Sequence, residues 1–369
     1  MSSETLSREA LTDQFAPSPK AVALAEYTHK LEAENRALKS QVGTDLRLCE
    51  YIKEGLPRMT PLEPVPFNVP DTGYQQEKTP VLILTDAHAE EFVDAEEMEG
   101  LAAYSWDIFE HRMLGAALKT IETVRSLRQL YGIQDLHIWG LGDWFCGAIH
   151  PQDDGYGTSM TMPLAVPKTG FQLARLIMTL APHFRTITVT GMCGNHGRTT
   201  IKPTYKMTAD RNWDMSVYLT AKYICEASGV TNIVWVMPRS IMHVTDVMGW
   251  KSLLTHSGEV HMNNRVPYYP IETVVAMERN RRQGTAEMFN YWFMGHWHHS
   301  AQLDNSVFLC PSMIGANQYS MFNLHKQTVA AQSLRFFDKQ GLWADIPIQF
   351  DLPVLLYPRP EPERLDATC

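Results

Sequence analysis

The chain has 369 residues, 44% hydrophobic and 20% charged, which is enough apolar mass for one large α/β domain with appendages. Its formal net charge of −9 excludes the globally basic footprint usual for nucleic-acid binders, so any basic surface has to be local. Six cysteines (Cys49, Cys146, Cys193, Cys225, Cys310, Cys369) without a C-x-x-C pair suit free thiols in a reducing compartment. A polar Met1–Pro19 stretch and the lack of a long apolar run argue against a signal core or membrane span, so a cytoplasmic location is expected.

Between residues 21 and 42, Leu24, Leu31 and Leu38 recur every seven positions, with Thr28, Asn35 and Val42 at the complementary sites. Two readings fit this run equally. It is either a short coiled coil joining copies of the chain, with Asn35 setting register, or an amphipathic helix lying on its own domain. Pro57, Pro61, Pro64, Pro66 and Pro70 then keep a connector extended. The expected organisation is an N-terminal extension (1–55), a Pro-rich connector (56–79), a catalytic domain (80–351) and a Pro-rich C-terminal tail (352–369).

Within 80–351, β-prone runs alternate with helical ones. Val81–Leu84, Leu136–Trp139, Ile187–Val189, Leu253–Leu254 and Tyr291–Met294 read as strands. Residues 109–131, 171–180 and 214–227 carry apolar side chains at helical spacing and predict helices covering a sheet face. Asn232–Met237, Met242–Val247 and Lys251–His256 follow one another without an intervening helix, which predicts antiparallel pairing and a mixed sheet. Residues 268–283 predict a helical cap over the rim where the strands end.

Each strand run ends in metal-ligand residues: Asp86 and His88, then Asp143, Asn195 with His196, His256, and finally His296 with His298. Ligands just beyond strand ends share one rim of a sheet, where backbone holds them and solvent reaches them. The set contains oxygen and nitrogen donors but no thiolate, which suits borderline divalent metals. Asp143 stands alone between two groups and is the natural bridge, because a carboxylate offers two oxygens. Asp86, His88 and His298 would hold one ion, and Asn195, His256 and His296 the other. Two ions about 4 Å apart can share a hydroxide and clamp an in-line displacement at phosphorus. His196 is better placed to donate to the phosphate or leaving oxygen than to bind metal.

The ordered motifs D-x-H, G-D, G-N-H, H and G-H-x-H resemble the calcineurin-like metallophosphoesterase superfamily over roughly residues 80–315. The resemblance implies two packed mixed β-sheets flanked by helices and two divalent ions, with Mn the expected metal of activity and Zn, Fe, Ni or Co as alternatives. It also implies a phosphate-ester substrate. The stretch from Glu91 to Gly100 and the phrase from Gly194 to Thr200 are similar to a bacteriophage-encoded subgroup related to SbcD-type DNA exonucleases, which implies a DNA nuclease. A small-molecule or nucleotide phosphatase is the alternative. A metal-free binding scaffold is disfavoured because all seven ligand residues are present.

Two positions depart from the family pattern. Trp144, Phe145 and Cys146 follow Asp143 where a second acid is common, and Gly197 stands where G-N-H usually meets an acid. Arg198 offers positive charge toward the substrate phosphate instead, or else serves only its own loop. Glu90, Glu91, Asp94, Glu96 and Glu97 read as a solvated helix start. Of the other histidines, His150 and His261 are candidates for supporting roles, while His29, His111, His183 and His325 read as surface or packing residues. Arg198, Lys202, Lys206 and Arg211 form one local basic cluster, and Arg279, Arg281 and Arg282 another.

Overall fold

Alternation along a single strand, Thr79–Leu84, sets the layering of the domain. Leu82 and Leu84 belong to a core shared with helical residues, whereas Val81 and Ile83 belong to a core shared with a second sheet. A strand buried on both faces is the product of such an unbroken apolar run. The computed structural model describes residues 76–147, 158–200, 202–203, 206–258, 268–323 and 328–350. The heptad run, the connector up to residue 75, the C-terminal tail, His29, His150, His261 and His325 lie outside the described residues.

The elements in chain order are β1 (Thr79–Leu84), α1 (Trp106–Leu127), β2 (Asp135–Gly140), α2 (Met162–Leu180), β3 (Thr186–Gly191), α3 (Trp213–Ala227), β4 (Ile233–Val236) and β5 (Met242–Val247). They continue with β6 (Trp250–Thr255), α4 (Tyr268–Arg282), β7 (Tyr291–Met294), β8 (Ala301–Leu303), β9 (Val307–Leu309), β10 (Ala331–Asp338) and β11 (Gly341–Gln349). The first sheet has the order β11-β10-β1-β2-β3-β4 and the second β5-β6-β7-β9-β8. β1 to β4 run parallel, while β10 and β11 pair antiparallel at the other side. In the second sheet β6, β7 and β9 are parallel, flanked by antiparallel β5 and β8. The fold is therefore α/β, with two mixed sheets flanked by helices.

Between the sheets lies an aromatic core in which Phe293 stacks on Phe308 at 4.9 Å between ring centroids and Trp139 approaches Phe293 at 5.0 Å. Outside the first sheet, α1, α2 and α3 bury Phe109, Met113, Leu173, Ile177, Val217 and Ala221. Each such large apolar side chain contributes about 1.5–3 kcal/mol. Ser105 caps α1 by accepting from the Ile108 amide, and Asn212 caps α3 by accepting from the Asp214 amide.

Three expectations need correction. β4 pairs parallel with β3 in the first sheet, so only β5 and β6 form the expected antiparallel neighbours. α2 begins nine residues earlier than its apolar period suggests, with Pro163 in its first turn and Pro167 inside it. α4 packs through Ile271 and Val275 on Leu253, Trp292 and Leu309 at the outer face of the second sheet. Those two apolar positions, four apart on one helical face, make α4 an outer layer of the second sheet instead of a cap on the rim.

Candidate metal centre

Parallel strands send their C-terminal ends to one edge, and the loops leaving β1, β2, β3, β6 and β7 carry the chemistry-bearing residues. Asp86, His88, Asp143, His296 and His298 all have positive φ, between 43° and 73°. Non-glycine residues avoid that region unless their surroundings enforce it, and such strain gathers at functional sites. Here it turns each ligand side chain back toward a common point immediately after its strand.

Two clusters result. Asp86, His88 and His298 offer ligand atoms all within 4.8 Å of one another, as do Asp143, His256 and His296. In the first, His298 Nε2 lies 3.2 Å from Asp86 Oδ1 and 3.2 Å from His88 Nε2. In the second, His256 Nε2 lies 2.7 Å from Asp143 Oδ2 and 3.1 Å from Asn195 Oδ1. Imidazole nitrogens, carboxylates and an amide oxygen converging at these distances fit divalent cations of the borderline class. The charge of Asp143 also acts on His88 of the first cluster, and that of Asp86 on His256 and His296 of the second, so the two clusters are electrostatically linked through both carboxylates.

Electrostatics divide the four histidines. Burial opposes charge on His256, yet the Asp143 carboxylate, Asp86 and the Leu141 carbonyl push its pKa up to about 10. Burial likewise opposes charge on His298, but Asp86 raises it. His296 drops to about 3 because it is buried and faces His256, and burial with His196 and His298 nearby lowers His88. For Asp86, burial would raise the pKa, but His298 and His256 hold it at about 2. In the metal-free chain the second cluster thus sets the Asp143 carboxylate and a protonated His256 beside a neutral His296, while the first holds His88 below and His298 above the ordinary imidazole range.

The ligands are held from behind. Asp86 accepts the His296 amide at 3.1 and 3.0 Å and the Thr85 hydroxyl at 2.7 Å. His256 Nδ1 donates to the Leu141 carbonyl at 2.8 Å, which directs Nε2 toward Asp143. His196 stands just outside the clusters. Its amide donates to Asp143 Oδ1 at 2.8 Å, and its Nδ1 donates to the Cys146 carbonyl at 2.7 Å. A carbonyl only accepts, so Nδ1 carries the proton and the ring orientation is fixed without the acid that the family places after G-N-H. Arg198 donates through Nε to the Thr200 carbonyl and through Nη1 to the Asn195 carbonyl, both at 3.0 Å, which braces the Asn195 loop.

Asp214, which the sequence reading used only as a helix start, organises this edge. Its Oδ2 accepts the amides of Asp143 at 3.0 Å and Gly194 at 2.7 Å, and its Oδ1 accepts the Trp144 amide at 3.1 Å. The acid expected beside Asp143 is therefore present, but it arrives from the first turn of α3. Burial first, then the charge of Asp143, raises its pKa to about 6. Gly197 stands where an acid is usual because a Cβ there would come within 2.3 Å of Asn212 Oδ1 and 2.8 Å of Asp214 Oδ1. At Gly194 a Cβ would meet Asp143 Oδ1 at 2.1 Å, so the G-D and G-N-H loops touch backbone to side chain. The local signals for Asp214 were the Asn212 cap and an acid in a helix's first turn.

The acidic run after His88 also differs from its expectation. Residues 89–90 and 95–100 form turns, with Glu91 and Val93 between them in isolated β-bridges, and Glu90 and Glu91 are buried while Glu96 and Glu97 are exposed. Glu90 accepts the Gly147 amide at 2.8 Å, and burial raises its pKa to about 7. Glu91 accepts from Asn317 Nδ2 at 2.6 Å and lies 3.7 Å from His88 Nδ1. Cys146 offers its sulfur within 4.8 Å of ring nitrogens of His88 and His196. His111 and His183 are exposed and far from these contacts, as their packing or surface reading has it.

No family model and no curated protein matches the sequence. Among solved structures, a dimetal phosphatase from Danio rerio aligns at TM-score 0.35 and 9% identity, covering 74% of this chain and 99% of that one. Wild-type Vps29 complexed with zinc from Entamoeba histolytica aligns at TM-score 0.28 and 11% identity, with the same coverages. A conserved uncharacterized protein, a predicted phosphoesterase, from Streptococcus pneumoniae TIGR4 aligns at 0.27 and 9%, covering 74% and 98%. At these scores no property of those proteins transfers to this chain.

Proposed function

We propose that the chain is a dinuclear metal-dependent phosphoesterase of the calcineurin-like type that cleaves phosphodiesters, with DNA as the foremost substrate class. The observation that carries the reading is the pair of adjoining clusters, built on five strand ends, with Asp143 acting electrostatically on both. Two divalent ions bound there would supply Lewis acidity toward a phosphoryl oxygen and an acidified water at neutral pH. Asp86, His88 and His298 would hold one and Asn195, His256 and His296 the other, with Asp143 shared between them.

The remaining roles fall to the chain's own groups. His196, with its Nδ1–H committed to the Cys146 carbonyl, presents Nε2 to the leaving oxygen and, as the doubly protonated imidazolium, donates the Nε2 proton there. Arg198 holds the Asn195 loop and adds positive charge beside the phosphate. Asp214 fixes the spacing of the Asp143 and Asn195 loops through three amide bonds.

Support for nucleic acid comes from the subgroup resemblance and from basic residues after the third motif. A nucleotide phosphatase is the second reading, favoured by the small size of the cavity beside Asn195, about 250 Å³. The test is Mn-supplemented hydrolysis of single- and double-stranded DNA, bis(p-nitrophenyl) phosphate and p-nitrophenyl phosphate by the full-length protein. Diester turnover above monoester turnover supports the proposal, the reverse order favours the phosphatase, and no turnover with any metal rejects both. Association through residues 21–42 is a separate proposal. Deleting residues 1–55 should lower the native mass in light scattering while diester turnover persists, and an unchanged mass rejects it.

A further inference from the structure

A cavity of about 250 Å³ opens directly beside the second cluster, and Asn195 and His256 line it as well as that cluster. Its lining includes three arginines from three separate segments: Arg198 after β3, Arg211 before α3 and Arg239 between β4 and β5. Arg239 pairs with Asp210, whereas Arg211 has no ion pair among the described residues. In a chain of net charge −9, three guanidinium groups converging on one small cavity mark a local anion site. A guanidinium matches phosphate oxygens in a bidentate fashion, which a surface lysine does not.

Apolar side chains also line it. Met207 is 56% exposed and has a backbone φ of +55°, and Ile241 is part of the same lining. Exposed methionine is an adaptable apolar surface against which a flat ring or sugar can pack. Small-molecule sites usually span about 300–1,000 Å³, so this volume takes one fragment of a substrate and leaves the reacting group outside, at the cluster.

We propose that this cavity is a specificity subsite for the nucleotide next to the scissile phosphate, with Arg211 and Arg239 binding its non-reacting phosphate and Met207 and Ile241 packing on its sugar or base. It rests on the phosphoesterase reading for the direction of the substrate, but the anion site itself does not require metal.

The test therefore has two arms on full-length protein, wild type, Arg211→Ala and Arg239→Ala. Calorimetric titration with thymidine 3′,5′-bisphosphate, before and after chelator treatment, reads the cavity alone, with thymidine as the uncharged control. Loss of one charged contact should weaken bisphosphate binding about tenfold in each variant. In the second arm, kcat/KM is compared for thymidine 5′-(p-nitrophenyl phosphate) and the same ester carrying a 3′-phosphate. The 3′-phosphate should raise kcat/KM in the wild type, and that gain should fall about tenfold in each variant. A 5′-phosphorylated oligothymidylate binding more tightly than the bisphosphate assigns the subsite to a polynucleotide, and equal affinity assigns it to a free nucleotide. Equal bisphosphate affinity in all three proteins, or a gain that survives both substitutions, overturns the proposal. Absence of ester hydrolysis with intact bisphosphate binding would instead overturn the phosphoesterase reading and leave the anion site standing.

Discussion

The two clusters contain the same groups but are braced differently. Around Asp86 the support is short-range across the sheets: the His296 amide, the Thr85 hydroxyl and the buried Glu91 near His88. Around Asp143 it is relayed, because Asp214 grips three amides of the Asp143 and Gly194 loops and never touches a ligand side chain. One cluster is thus set by direct contact, while the other adds to its direct contacts, the His196 amide on Asp143 and the Leu141 carbonyl on His256, the spacing of two loops on one buried carboxylate. The comparison teaches that geometry at the Asp143 cluster can be disturbed from α3 while the Asp86 cluster stays in place.

The most damaging change should be Asp143→Asn, which removes the carboxylate proposed to be shared by both clusters. Even outer-sphere partners cost about 10–100-fold in metal affinity or activity, and this loss should exceed that of every other variant. Metal analysis and reporter turnover check it; two bound ions with near-normal turnover would remove Asp143 from its shared role. His196→Ala should come next, losing about two to four orders of magnitude in rate while both ions stay bound. Substrates with better leaving groups should lose less if His196 protonates the leaving oxygen, and loss of an ion would place His196 among the ligands instead.

Asp214→Asn sharpens the comparison most directly. An amide presents N–H to at least one of the three amides that the carboxylate now accepts, costing roughly 1.5–3 kcal/mol for a bond to a charged group. Affinity should fall about 10–100-fold at one of two sites, with the other unchanged. Equal weakening of both sites in a two-site titration would show that the relay is not specific to the Asp143 cluster.

The smallest expected signal is a proton count. His256, held up to about 10 by Asp143 against its burial, is protonated at neutral pH in the metal-free chain. A metal needs the neutral imidazole, so the Asp143 cluster must expel one proton on loading. Apparent metal affinity should therefore rise with pH through the neutral range. Calorimetry in buffers of different ionisation enthalpy should show about one proton released as the Asp143 cluster fills. A pH-independent affinity would contradict the assignment of an imidazolium to His256.

Strand ends were legible in the sequence because a strand's side-chain period and the ligand that follows it are local. Val81–Leu84 before Asp86 and Tyr291–Met294 before His296 coincide with β1 and β7 within two residues. Asp214 was not legible as a partner of Asp143, since a hydrogen bond spanning 71 residues leaves no periodic trace. Glu90 and Glu91 misled for the opposite reason. An acidic run reads as solvated until a facing amide, here Gly147, or a side chain, here Asn317, gives it a buried partner. β4 and α4 were placed wrongly because pattern reveals which face is apolar but not which sheet it covers.

Metal stoichiometry tests the central claim most directly. Full-length protein loaded with Mn and freed of excess ion should retain two Mn per chain by plasma mass spectrometry. A content of one ion or none, under conditions that leave the protein folded, would contradict a dinuclear centre built from the Asp86 and Asp143 clusters.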